Sequence, residues 1–215
     1  MVLLGPTANS IRDMLKQCES YACDHGLVYN CDKSVYMTFG APGKNIPVNL
    51  KIELNGRPIQ KVNKFKYLGH YLTEDLNHLD HVDIERERRA MAVRSNMLVH
   101  RFARCSRDVK ITLFKAYCQT FYTSSLWSRC SLKALDTLRV QYNNSFRMLL
   151  GLPRFCSASN MFAQNLTNDF YAIMRYRTSS LLERVRSSTN SILRTFADKF
   201  DTPMFVHFMR VLVRS

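Results

Sequence analysis

The chain has 215 residues, 46% hydrophobic and 22% charged, a composition that supplies a buried core and excludes a disordered tail. Its formal net charge of +14 is uneven: residues 1–79 carry 9 Lys+Arg against 7 Asp+Glu, whereas residues 80–215 carry 22 against 10. No apolar run nears the roughly 18 residues of a membrane span, no secretory leader is recognised, and seven cysteines without a Cys-x-x-Cys pair argue against a disulfide framework, so an intracellular chain, nuclear or cytoplasmic, is expected.

Met1-Val-Leu-Leu4 reads as a short buried strand broken by Pro6. Ser10 and Asp13 offer a capping box, and Ile11, Met14, Leu15, Cys18 and Ala22 follow at helical spacing, which predicts a helix stopped by Gly26. Short strands are expected at Val28 to Asn30 and Val35 to Phe39. Leu50, Ile52 and Leu54 alternate with Lys51 and Glu53, the pattern of a half-buried strand, and Asn55-Gly56 is a hairpin turn signal. Pro58 places the returning segment at an edge or strand start. Phe65 to Leu72 is expected to form one further strand, ended by the polar stretch Thr73 to Asn77.

From Asp80 the pattern turns helical. One long helix is predicted from Asp80 to about Cys105. Ser106 caps the next, with Val109, Leu113, Phe114, Tyr117 and Phe121 on its apolar side. Another runs from Leu132 to Leu150 and stops at Gly151-Leu-Pro153. Two or three more fill Ala158 to Val213. The fold class expected is α+β, with a mixed first third followed by an all-α remainder.

A basic surplus confined to the helical part points to nucleic acid, because Arg suits bidentate phosphate contact. The long helix carries Arg86, Arg88, Arg89, Arg94, Arg101 and Arg104. Arg94, Arg101 and Arg104 are spaced to share one face and would follow phosphates without reading sequence. The alternative is an ion-paired surface helix, since Asp80, Asp83, Glu85 and Glu87 lie close by. Trp127, Tyr142, Phe146, Phe155 and Phe162 could stack on bases but sit at the spacing of a helical core. Cys18, Cys23, His25 and Cys31 match no usual zinc-ligand spacing, so no metal is expected on this chain.

Two segments carry a family resemblance. Gly26-Leu-Val-Tyr-Asn30-Cys-Asp-Lys33-Ser34 followed by Met37-Thr-Phe39 resembles motif D of non-LTR (LINE-type) retrotransposon reverse transcriptases. Phe65-Lys66-Tyr67-Leu68-Gly69 resembles their motif E, the primer grip, in the same order and at a similar separation. Downstream, Ser106-Arg-Asp-Val-Lys110, Leu113 to Cys118, Leu126-Trp127, Tyr142-Asn-Asn144, Arg147 and Gly151-Leu-Pro-Arg154 resemble the thumb of the same elements.

The resemblance implies a partial palm sheet with one helix and a hairpin over residues 1–78, a helical thumb over 79–152 and a helical connector over 153–215. It implies a reverse transcriptase, an RNA-directed DNA polymerase, with an RNA template, a DNA primer or duplex nucleic acid as partners, and Mg²⁺ in the intact enzyme. Lys33 would then assist the departing pyrophosphate as motif D lysines do, and Phe65, Lys66, Tyr67, Leu68 and Gly69 would hold the primer end. Arg86, Arg89, Arg94, Arg101 and Arg104 would contact nucleic acid.

The sequence departs from the family in lacking the Tyr/Phe-x-Asp-Asp motif, which there precedes a strand like Met1 to Leu4. The chain is therefore expected to be truncated, missing the upstream fingers and palm, and to bind without polymerising alone. Two rival expectations are a non-catalytic basic binding module retained from a transposon and a decayed fragment without function.

Overall fold

The first helix, α1 (Ala8–Asp24), begins where Thr7 leaves an extended backbone. Its hydroxyl accepts from the Ser10 amide at 3.1 Å, and the Ser10 hydroxyl accepts from the Thr7 amide at 3.2 Å. This reciprocal cap lies one turn ahead of the expected Ser10–Asp13 pair, because the Ser10 side chain closes the box itself. The helix ends before Gly26, which takes φ +64°. The computed structural model describes residues 1–40, 50–74, 80–199 and 201–213, apart from the side chain of Pro203.

The chain divides into two units, Met1–Tyr67 with Leu72–Leu76, and Leu68–Tyr71 with Asn77–Ser215. The first is mixed. Its elements after α1 are a 3₁₀ turn (Cys31–Lys33) and the strands β1 (Val35–Tyr36), β2 (Glu53–Leu54), β3 (Arg57–Pro58), β4 (Gln60–Lys61) and β5 (Lys64–Tyr67). β2 and β3 pair antiparallel through Asn55 (φ +52°) and Gly56 (φ +71°), the two left-handed positions that an Asn-Gly turn supplies. β1 and β4 pair in parallel, with Val35 opposite Gln60. Ile52 and Leu54 are buried with Leu15 of α1, while Lys51 and Glu53 face solvent, as the alternation predicts.

Three expectations fail here. Met1 to Leu4 forms no strand; Met1 and Leu4 are 79% and 82% exposed, with no ladder to cover them. Val28 to Asn30 is not a strand either, because the Asn30 side chain is committed to capping the 3₁₀ turn. Phe65 to Leu72 is a hairpin instead of one strand: β5 turns at Leu68 (φ +48°) and Gly69 (φ +86°) into β6 (His70–Thr73). The described strands therefore form three two-stranded sheets, where one partial sheet was expected. Strands of two to four residues cannot extend a common ladder. The polar stretch after Glu74 and the expected boundary at 78/79 lie outside the described residues.

The second unit is helical. Its helices are α2 (His81–Arg101), α3 (Arg107–Cys118), α4 (Leu132–Leu150), α5 (Ala158–Gln164), α6 (Phe170–Arg186), α7 (Ser191–Ala197) and α8 (Pro203–Val213), with a 3₁₀ turn at Ser124–Leu126. Four helices therefore follow Ala158 where two or three were expected; Asn190 caps α7 and separates it from α6. α2 packs on α3 and α4. Ser106 and Ser131 cap α3 and α4 as the spacing predicts for Ser106. Gly151 (φ +65°) ends α4, and the next amide, Leu152, bonds back to the Arg147 carbonyl at 2.9 Å.

The core is aromatic. Phe162 stacks on Tyr142 at 5.2 Å and on Phe146 at 5.1 Å, and Phe114 lies 4.7 Å from Phe146. These contacts run across residues 152/153, so one core serves both sides of that expected boundary. A second cluster joins Leu182 of α6 to Phe205 and Phe208 of α8. No helix among the described residues is long and apolar enough to cross a membrane.

His207 of α8 is buried, and its Nε2 lacks a hydrogen-bond partner. Burial, with the Arg210 charge adding to it, pulls its pKa down to about 4. A pKa lowered on folding means that the unfolded chain binds the extra proton first. Stability from this residue is thus intact above the unfolded value of about 6.5 and is lost as pH falls toward 4. Between pH 7 and 4.5 the wild type is expected to lose about 2–3 kcal/mol more than His207→Leu in urea unfolding; parallel losses would contradict this account.

Candidate nucleic-acid interface

The motif-D-like residues form a tight turn. Asn30 accepts from the Lys33 amide at 3.1 Å, and the Ser34 hydroxyl donates to the Asn30 carbonyl at 2.8 Å. This is why an Asn and a Ser flank Cys31-Asp-Lys33: each side chain satisfies a backbone group that the turn leaves open. Lys33 itself is exposed. Phe65, Lys66, Tyr67 and Leu68 are all exposed, with Leu68, at 75%, on the left-handed turn of the β5–β6 hairpin. Leu68 thus faces solvent, whereas Phe65 and Tyr67, at 39% and 40% exposed, are partly covered.

The arginines of α2 divide into two groups. Arg86 donates from Nε to Asp83 at 2.8 Å and lies 3.4 Å from Glu87; Arg94 donates to the other Glu87 oxygen. Asp83 and Glu87 are buried, so these two arginines neutralise the interior. Arg88 and Arg89 share Glu85, at 2.7 Å and 2.9 Å, and that carboxyl is held down at about 2, first by the hydrogen bond from Arg88. Arg101 and Arg104 are exposed and belong to no ion pair among the described residues. Arg104 falls in the turn after α2, since the helix ends at Arg101, so the expected single face of Arg94, Arg101 and Arg104 does not form.

The aromatic expectations separate similarly. Trp127, Tyr142, Phe146 and Phe162 are buried, whereas Phe155 is 91% exposed beyond the α4 stop.

The sequence reading missed a network around Asp83. One oxygen of this buried carboxylate accepts from Thr123 Oγ1 at 2.6 Å, Trp127 Nε1 at 2.9 Å and His70 Nδ1 at 3.1 Å. The other accepts from Arg86 Nε and from the Tyr71 amide at 3.3 Å. Burial by itself raises the Asp83 pKa, but the hydrogen bonds from His70, Arg86, Thr123 and Trp127 outweigh it and hold the carboxyl far below the usual range. Asp80 stands on the far side of His70, with its Oδ1 3.8 Å from Nε2, and accepts from the Arg129 amide at 2.7 Å. Burial, its largest influence, pushes the Asp80 pKa up. The available signal was the single tryptophan, whose indole N–H needs an acceptor when buried.

The acids of the first unit do not converge. Asp24 ends α1, Asp32 lies exposed in the 3₁₀ turn, and Glu53 pairs with Lys51 at 2.8 Å. Among the described residues no three His, Cys, Asp or Glu side chains gather as metal ligands, so these residues do not fit the Mg²⁺ pair that the resemblance implies.

Removing the Asp83 charge leaves several buried donors without a full partner. Asp83→Asn is expected to cost about 3–5 kcal/mol in urea unfolding followed by Trp127 fluorescence, against at most about 0.5 kcal/mol for Arg101→Ala. Equal, small losses would remove Asp83 from its central place. No protein-family model, curated protein or solved structure matches this chain.

Proposed function

We propose that the chain is the end-of-palm and thumb part of a non-LTR retrotransposon reverse transcriptase, and that it holds a primer-template or related duplex. The observation that carries this reading is the hairpin Lys64–Thr73, whose first arm and turn expose Phe65, Lys66, Tyr67 and Leu68 ahead of a half-buried Gly69, in the order of a primer grip. A helix, the Asn30-x-x-Lys33-Ser34 turn and a strand precede it, as the resemblance requires. Phosphate contact falls to Arg101 and Arg104, because Arg86 and Arg94 are occupied by buried acids and Arg89 shares Glu85.

Polymerisation needs two metal-holding carboxylates that this sequence does not supply. Lys33 and the hairpin would therefore act on a primer only beside a palm that carries them. The rival reading, a basic binding module without catalysis, shares the interface and differs only in whether that palm exists; the charge surplus of residues 80–215 favours it equally.

Two outcomes test the proposal. An RNA–DNA hybrid should bind the chain with an affinity that falls steeply with salt, and Arg101→Ala with Arg104→Ala should flatten the log–log slope by about 0.9 per lost contact. A flat wild-type response would end the reading. With Mg²⁺ and dNTPs the pure chain is expected to leave the primer unextended in a gel assay, and extension would show that the missing carboxylates are replaced.

A further inference from the structure

The pattern Arg-x-Arg-x-x-Ser/Thr occurs twice in the chain, as Arg175-Tyr-Arg177-Thr-Ser-Ser180 and as Arg184-Val-Arg186-Ser-Ser-Thr189. Arginine-directed protein kinases accept such a segment in extended form, because acidic side chains in their cleft pair with the two guanidinium groups. The fold treats the two copies differently. The first lies inside α6, and Thr178 and Leu182, on either side of Ser180, are buried. The Ser180 carbonyl accepts from Arg184 Nε at 3.3 Å. Extending residues 175–180 would unwind the middle of the helix and pull Thr178 out of the interior.

The second copy runs off the end of the helix. Ser187 caps α6, and residues 188–190 form an irregular link to α7. The other polar side chains of this link are engaged. Ser187 Oγ donates to the Arg184 carbonyl at 3.4 Å, Ser188 Oγ accepts from the Asn190 amide at 3.2 Å, and the Asn190 side chain accepts from the Ile192 and Leu193 amides. Thr189 is exposed, and its hydroxyl has no hydrogen-bond partner among the described residues. Arg184 and Arg186 are exposed and belong to no ion pair among the described residues; Arg186 lies over the Phe205 ring at 5.7 Å. Extending this copy frays the last turn of α6 and lifts one buried side chain, Val185. Helix ends are where such opening costs least.

We propose that Thr189 is a phosphorylation site for an arginine-directed Ser/Thr kinase that uses ATP. Thr189 Oγ1 attacks the γ-phosphorus, and the new O–P bond forms as the bond from that phosphorus to the β–γ bridging oxygen breaks. ADP leaves with the electron pair of the broken bond, and the hydroxyl proton passes to a base on the kinase. The product changes the charge of the link. Within residues 183–194, Arg184, Arg186 and Arg194 stand against Glu183 alone, a local positive surplus that a phosphate of about −2 cancels. The site does not depend on what the helical unit binds.

The test treats the full chain with protein kinase B and ATP and locates the phosphate by peptide fragmentation in a mass spectrometer. In the folded chain Thr189 is expected to take up phosphate about tenfold faster than Ser180, because only the helix end opens readily. The heat-denatured chain, in which both copies are extended, is expected to lose that preference. Thr189→Val should cut incorporation into the folded chain about tenfold, and Thr189→Ser should restore it; Arg186→Gln, which removes one paired cation, should slow it about tenfold. A thermal melt of Thr189→Val matching that of the wild type separates the lost acceptor from lost folding. Phosphate on Ser180, Ser187 or Ser188 of the folded chain at the rate of Thr189, or none on Thr189, would overturn the assignment.

Discussion

The helical unit is organised around one buried negative charge. An isolated carboxylate in an apolar interior would take up a proton to escape desolvation. Asp83 instead keeps its charge because five donors converge on it from three stretches of chain: Arg86 on its own helix, His70 and the Tyr71 amide on β6, and Thr123 and Trp127 after α3. Each donor satisfies a polar group that burial would otherwise strand. The indole N–H of Trp127 and the hydroxyl of Thr123 could not sit among Phe121, Phe114 and Leu98 without such an acceptor. The cluster therefore fixes the path of the chain, whatever its net contribution to stability.

The same logic governs α2. A helix with Arg86 and Arg94 facing inward is tolerable only because Glu87 lies between them and Asp83 lies one turn before Arg86. Acidic and basic residues at three- and seven-residue spacing thus bring charge inward in neutral groups. The exposed side of the helix disposes of Arg88 and Arg89 on Glu85. Beyond Glu87 the acid supply runs out. Arg101, Arg104 and Arg107 follow with Asp108 the next carboxylate, and Arg107 turns to the side chain of Asn165 at 3.0 Å. The net positive charge of the unit is thus expressed at the α2–α3 turn more than along α2.

Much of this was legible in the sequence. The bounds of α4, the serine cap of α3 and the Asn-Gly hairpin follow from local chemistry that no tertiary contact overrides. The short strands were legible only in part. A two-residue strand is defined by its partner and not by its own pattern, so Met1 to Leu4, apolar enough to be read as a strand, stays exposed without one. The hairpin at Leu68-Gly69 was hidden because a left-handed leucine is rare. Arginine spacing showed which residues share a helical face and could not show which of them a buried acid would claim.

These two failures have a common root, and it bears on function. Helical periodicity reports which side chains lie together along one element, whereas the Asp83 cluster joins residues 12 to 44 positions apart on different elements. Its consequence at the surface is the pairing of a hairpin tip with the turn of Tyr122, an exposed residue whose ring lies 3.9 Å from a Cβ placed on Gly69. The tip carries the motif-E-like residues, and the turn carries no motif at all. The buried carboxylate links them physically: it binds the residues immediately after Gly69 and immediately after Tyr122, so neither can move without disturbing the same acceptor. What a substitution at Asp83 would alter first is therefore the mutual placement of two exposed groups, one of them invisible to sequence pattern.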